Sequence, residues 1–328
     1  MKVLFLVSKL DNASTRQRVM QYLPWLEAGG IASEVVPAPR SLAAKLELWR
    51  ELPRFDALFI QRRLFQPWEV GIIRRRTQHL VFDFDDAVMF KDRGSNQTQN
   101  ITRRMKFRSM ARRADLVIAG NRFLRAQAIA FNERVEILPT PVDMERYQPK
   151  AIYDSERVTI GWIGSRTTLR YLQDIQDVLE ELGERYRHLQ LKIVADRFFT
   201  CKHLPVVQKQ WEFATEIDDL HSFDIGLMPL RDDPWSQGKC GFKLIQCMAV
   251  GVPVVCSPVG MNREIVQHGI NGLWANDARG WLEALGALIE RPRWRRELGA
   301  AGRQTVEDHY ALHLHAPRLA AWLRQWRP

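Results

Sequence analysis

A chain of 328 residues, 46% of them hydrophobic, is long enough to bury two cores of ordinary size. No run reaches the roughly 18 apolar residues of a transmembrane helix, and Met1-Lys2 leads straight into a strand pattern rather than a signal peptide, so a cytoplasmic chain is expected. The formal charge of +10 lies wholly in residues 1–150, with 26 Lys and Arg against 16 Asp and Glu, whereas residues 151–328 hold 22 of each; the four cysteines have no CxxC spacing, which argues against a zinc ribbon or a disulfide framework.

Buried-strand patterns in the first half fall at 3–8, 34–37, 57–61, 80–86, 116–120 and 135–139, with helical patterns between them, as in a parallel α/β sheet. In the loop after the first strand, Ser14 and Thr15 suit a helix cap, and Arg16 and Arg18 could meet an anion. The DFDD run (83–86) ends a strand, where ligand crevices form in open α/β sheets. Asp83 and Asp85 alternate to one face and Asp86 to the other. A carboxylate there, Asp85 or Asp86, could orient a hydroxyl or take its proton. Two other readings stand beside it: an oxygen-ligated metal, and a structural pair bound to Arg62 or Arg63. The polar segment 91–100 reads as a loop. In 103–113 six cations occur without an acid, with Arg104, Arg108 and Arg112 stacked on one helical face and Phe107, Met110 and Ala111 on another. Such a half attracts an anionic membrane, a lipid-diphosphate carrier or nucleic acid.

The stretch from Thr140 to Arg157 reads as a crossing between domains. A second strand set follows at 158–164, 191–196, 225–230, 253–257 and 272–276. The first of these runs through Gly164 into Ser165, Arg166, Thr167 and Thr168 and then a helix striped by Leu172, Ile175, Val178, Leu179 and Leu182, which aims backbone N–H groups at an anion. Arg170 lies one turn along. Trp211 or Phe213 could stack a flat ring, and Arg231, Asp232 and Asp233 lead into the next loop. Residues 238–260 then read as a glycine-led helix start, a Gly-Val-Pro turn and a buried strand. If the helix begins at Gly238, Lys239, Lys243 and Gln246 share one side at i, i+4 and i+7, while Gly241 and Phe242 lie at the anion-favouring end. The plain alternative is a buried helix and strand with two solvated lysines. A last helix is expected over 312–326, with Leu314, Leu319, Trp322 and Leu323.

Met248, Ala249, Gly251, Pro253, Val254, Val255, Ser257, Gly260, Glu264, Ile265 and Val266 match, in order and spacing, the donor-site signature of retaining glycosyltransferases of the GT-B type, family 4, and the chain resembles that family. Its two signature glutamates fall on Gly238 and Gln246, so this chain resembles a branch with GKCGFK at the motif start. The likeness implies an α/β GT-B fold, with two Rossmann-like domains facing across a cleft. Residues 1–150 would bind the acceptor and 151–310 the nucleotide-sugar, while the terminal helix, 311–328, would cross back to the first domain. It further implies transfer of a sugar from a nucleotide-diphosphate sugar to a hydroxyl acceptor, with retention and without a cofactor or essential metal. Gly164, Ser165, Arg166, Arg170, Lys239, Gly241, Phe242 and Lys243 would hold the diphosphate. Gln246, Trp211 and Phe213 would meet ribose or base, and Asp232 and Asp233 would lie near the sugar. Arg16 and Arg18 would face the acceptor, and Asp85 and Asp86 would serve catalysis. The basic first half suggests a glycan or lipid-linked acceptor, envelope polysaccharide or glycolipid synthesis, and peripheral contact with the inner membrane face. The rivals are a GT-B sugar-nucleotide epimerase and a basic nucleic-acid-binding protein.

Overall fold

The computed structural model describes residues 1–91, 99–151 and 156–326. The chain forms two compact units. Unit 1 comprises Met1–Pro141, Asp233–Cys240 and Leu312–Pro328, and unit 2 comprises Val142–Asp232 and Gly241–Ala311.

Unit 1 is built on a six-stranded parallel sheet. Its strands are β1 (Lys2–Val7), β2 (Ala32–Pro37), β3 (Ala57–Gln61), β4 (His79–Phe84), β5 (Leu116–Ala119) and β6 (Val135–Ile137), in the order β2-β1-β3-β4-β5-β6. The β3, β4 and β5 sequences are almost unbroken apolar runs because helices cover both faces. One core gathers Val3, Phe5 and Val7 with Tyr22, Leu26 and Ile31, and with Leu312, Ala316, Leu319 and Leu323 of the last helix, Leu312–Arg324. His79 stacks on Trp326 with ring centroids 4.7 Å apart, fixing the end of that segment to the same unit. In the helix Ile101–Arg113, Phe107, Met110 and Ala111 are buried while Arg104, Arg108 and Arg112 are exposed, so the charges do stand on the outer face.

Unit 2 has a second parallel sheet. Its strands are β7 (Val158–Ile163), β8 (Leu189–Ala195), β9 (Val206–Gln210), β10 (Ile225–Met228), β11 (Val254–Cys256) and β12 (Leu273–Trp274), in the order β9-β8-β7-β10-β11-β12. In each sheet the chain reverses direction of growth at one place, between β1 and β3 in unit 1 and between β7 and β10 in unit 2. In open α/β sheets ligand crevices form at such places, outside the carboxyl ends of the strands. Five of these six strands lie where the periodicity puts them; β9 was not foreseen. The stripe expected after Ser165 is carried by two helices, Arg166–Gln173 and Gln176–Arg185, rather than one.

The glycine-led helix starts later than its sequence suggests. Gly241 is its N-cap at φ +64°, a left-handed conformation, and a Cβ there would lie 2.3 Å from Ile265 Cδ1. Helical residues therefore run Phe242–Ala249. Lys239 is not on this helix, so the expected i, i+4, i+7 row of Lys239, Lys243 and Gln246 is corrected to the pair Lys243 and Gln246. Gly251, at φ +77°, closes the far end, its N–H bonding Met248 O while Val252 N–H bonds Cys247 O, before Pro253 stops the helix. Of the polar loop 91–100, residues 92–98 lie outside the described residues, as do residues 152–155 of the crossing segment.

Candidate functional site

In unit 2, β7 ends at Ile163 and Gly164 leads to Ser165, the N-cap of Arg166–Gln173. Ser165 and Thr168 form a reciprocal capping box, in which the Ser165 N–H donates to Thr168 Oγ1 at 3.2 Å. Lys243 reaches this turn from the neighbouring helix. Its Nζ lies 3.2 Å from Thr168 Oγ1 and 5.0 Å from the centre of the Trp162 ring. A cation, a hydroxyl cap and a helix N-terminus thus occupy one place, and their fields add for an anion. The Arg166 N–H donates to Asp196 Oδ1 at 2.5 Å. Arg170 lies over Tyr171, 4.8 Å from its ring centre, and donates to its hydroxyl at 3.0 Å. Arg231 pairs with Asp174 at the other end of that helix, with Nε to Oδ2 at 2.6 Å, and Arg170 is close enough to act on its charge.

Gln246 is buried and donates through Nε2 to Tyr147 Oη at 2.9 Å, and that hydroxyl bonds Glu216 Oε1 at 2.8 Å. Trp211 Nε1 donates to the other oxygen of Glu216 at 3.1 Å. Phe213 is exposed, with the Arg146 guanidinium 3.6 Å from its ring centre. Tyr147, Glu216, Arg146 and Trp162 escaped the sequence reading. A buried glutamate opening a helix between Trp211 and Leu220 offers no signal without its partners. Asp232 is exposed.

Unit 1 holds the remaining candidates. Lys239 lies in the segment Asp233–Cys240, 5.6 Å over the Trp235 ring, and is thus placed with unit 1, whereas Arg166, Arg170 and Lys243 belong to unit 2. Asp233 caps the short helix Pro234–Gln237 by accepting from Ser236 N at 2.7 Å. At the end of β4 the three acids part company. Asp83 is fully buried against Arg18, whose guanidinium also donates to Leu138 O at 2.6 Å and Pro139 O at 3.1 Å. Arg18 is therefore a core cation, and the expectation that it faces the acceptor is corrected: its donors are committed inside the unit. Arg16 is half-buried and donates to Asp11 O at 2.5 Å.

Asp85 accepts from the Ser14 hydroxyl at 3.1 Å, and Gln61 Nε2 donates to that hydroxyl oxygen at 2.5 Å. Arg62 binds both remaining acids, Asp85 through Nε at 3.3 Å and Asp86 through Nη2. Burial alone would lower the Arg62 pKa, but the carboxylates of Asp85 and Asp86 outweigh it and hold the pKa above its ordinary value. Arg62 sits at φ +59° without being glycine, a strained backbone at the end of β3. Cys240 Sγ donates to Asp85 O at 3.1 Å. The metal reading of DFDD does not fit these donors, since Asp83 turns to Arg18 and Asp86 to Arg62. Among the described residues no group of three or more His, Cys, Asp or Glu could hold a metal ion.

Residues 157–291 match the family described as glycosyl transferases group 1. The match covers less than half of the chain. It takes in β7 through β12 and with them Lys243, Gln246 and the Ser165 turn. Among solved structures, the sucrose-phosphate synthase of Thermosynechococcus elongatus is similar at 15% identity and TM-score 0.77, over 99% of both chains. HepE of Anabaena in complex with UDP and glucose is similar at 15% identity and TM-score 0.75, over 99% of this chain and 100% of that one. The lipopolysaccharide outer core galactosyltransferase WaaB is similar at 12% identity and TM-score 0.66, over 99% and 100%. No curated protein sequence matches the chain. The fold is GT-B, two parallel six-stranded sheets with their helices, and with its group 1 domain the protein is a glycosyltransferase. No helix among the described residues is long and apolar enough to cross a membrane.

Proposed function

We propose that the protein is a retaining glycosyltransferase of family 4 that transfers a sugar from a nucleotide-diphosphate sugar to a hydroxyl acceptor. What carries the reading is Lys243 Nζ, held 3.2 Å from Thr168 Oγ1 at the start of Arg166–Gln173, inside the group 1 domain. The donor diphosphate lies against Lys243, the Ser165 turn and Arg170, and Gln246 meets the ribose. As the bond from the sugar's anomeric carbon to phosphate oxygen breaks, charge grows on the leaving diphosphate, and these cations and N–H groups stabilise it. The acceptor oxygen bonds the anomeric carbon on the same face, and its proton passes to an oxygen of the leaving diphosphate. In unit 1, Asp85, held by Arg62 and Ser14, is the acceptor-side candidate. Positive side chains rather than a metal counter the diphosphate in this scheme.

Similar structures hold UDP or UDP-glucose, which puts uridine donors first. The basic first half and the likeness to WaaB support an envelope glycan or glycolipid acceptor, in the cytoplasm at the inner membrane face. Nothing observed favours an epimerase or a nucleic-acid-binding protein. Thermal shifts with UDP-, GDP-, ADP- and dTDP-sugars identify the donor, because a ligand that binds only the native state raises its midpoint. Lys243→Ala then lowers affinity roughly ten- to a hundredfold, the loss of a charge-assisted contact of about 1.5–3 kcal/mol. Unchanged affinity by titration calorimetry would remove Lys243 from the site.

A further inference from the structure

Three residues from three separate segments of unit 2 form a buried chain of hydrogen bonds: Glu216, 5% exposed, then Tyr147 at 2%, then Gln246 at 4%. Its direction can be worked out from chemistry. The indole N–H of Trp211 can only donate, and it meets Glu216 Oε2 at 3.1 Å; the Arg146 guanidinium, also donor only, stands 3.8 Å from Oε1. As a carboxylate, Glu216 accepts on both oxygens. The Tyr147 hydroxyl at 2.8 Å has to give its single proton to Oε1. Burial, with Glu216 beside it, raises the Tyr147 pKa well above its ordinary value, which favours the protonated hydroxyl. Having donated, the phenol oxygen can only accept from Gln246, at 2.9 Å. The amide NH2 is thereby pinned to Tyr147, and the amide oxygen is the end left to accept elsewhere.

We infer that Glu216, acting through Tyr147, is a positioning residue that fixes the Gln246 amide with its oxygen as an acceptor for a ribose hydroxyl of the donor nucleotide. This rests on the reading of Gln246 as the ribose contact. The consequence is specific: an amide, which has one accepting and one donating end, is made to act like a carboxylate. The same Glu216 holds the Trp211 indole, so one buried acid orients both a ribose and a base candidate.

The probe is calorimetric affinity for the nucleoside diphosphate selected by the thermal screen, beginning with UDP, against its 2′-deoxy and 3′-deoxy analogues. The wild type prefers the ribonucleotide over one deoxy analogue by roughly five- to tenfold, the worth of one hydrogen bond. Gln246→Ala abolishes that ratio. Tyr147→Phe and Glu216→Gln reduce it severalfold while thermal midpoints show a folded protein. Adding Gln246→Glu to Tyr147→Phe restores it, because both oxygens of a carboxylate accept and no pin is needed; a purely structural Tyr147 would gain nothing from that exchange. If Gln246→Ala removes the ratio but Tyr147→Phe and Glu216→Gln keep it, the ribose contact stands and the positioning role falls. A ratio untouched by Gln246→Ala, or no nucleoside diphosphate bound at all, overturns the ribose contact and this inference together.

Discussion

Burial sets the chemistry of single residues here more than their type does. Burial pushes the Cys247 thiol to about 12, and burial with Glu180 nearby does the same for Cys201, while Cys240 and Cys256 are raised by burial as well. At pH 8 a thiol of pKa about 12 is ionised to roughly one part in ten thousand, and the thiolate is the nucleophile. Native protein is therefore expected to resist iodoacetamide at all four cysteines, with four adducts by mass spectrometry only after denaturation. The sign of the linkage follows from the same shift. A pKa raised in the fold contributes stability that is complete below the unfolded value and is lost as pH rises, so the melting temperature should fall between about pH 9 and 12. A flat midpoint across that window would contradict the burial of these thiols. Gly241 makes a backbone demand of its own. Gly241→Ala places a methyl group against Ile265 in a left-handed conformation, and a loss of about 1–3 kcal/mol is expected in urea unfolding, with weaker nucleotide binding.

Elements differ in how openly the sequence declares them. Strands covered on both faces are short apolar runs, so β1, β3, β4, β7 and β8 could be located from composition alone. β9 is an edge strand reading VVQKQ with mostly exposed side chains, and its polarity hid it. The start of Phe242–Ala249 was misplaced because Gly238 and Gly241 look alike in sequence, yet only Gly241 takes a positive φ; Gly238 ends the preceding short helix. Arg18 was misjudged because an arginine near a loop reads as a surface charge, and its partner Asp83 is 65 residues away. Lys243 and Ser165 needed only helical spacing and a strand-glycine-helix pattern to be named, and Arg170 needed the family resemblance, whereas the Glu216 chain depends on contacts between residues 69 and 99 apart. The last helix tests how firmly an element is held. Leu319→Ala, at a fully buried position in the core of unit 1, is expected to cost about 2–5 kcal/mol in denaturant unfolding.

Taken whole, the molecule concentrates its charge where residues 1–150 fold, and the exposed face of Ile101–Arg113 combines Arg104, Arg108 and Arg112 with Ile101 and Met105, which are 79% and 53% exposed. Cations beside exposed apolar side chains suit an anionic lipid surface. Arg104→Glu, Arg108→Glu and Arg112→Glu together should abolish co-sedimentation with phosphatidylglycerol vesicles, and added salt should weaken wild-type binding. Equal sedimentation of both proteins would sink this partner. The division of the chain also bears on how it is made. Unit 1 begins upstream of unit 2 but lacks Leu312, Ala316, Leu319 and Leu323 until the segment after Ala311 has been translated. Unit 2 has all of its own chain by Ala311. The nascent polypeptide thus completes its later unit first, and a chain cut short near residue 311 would lack the last helix's part of the core that holds Tyr22 and Leu26.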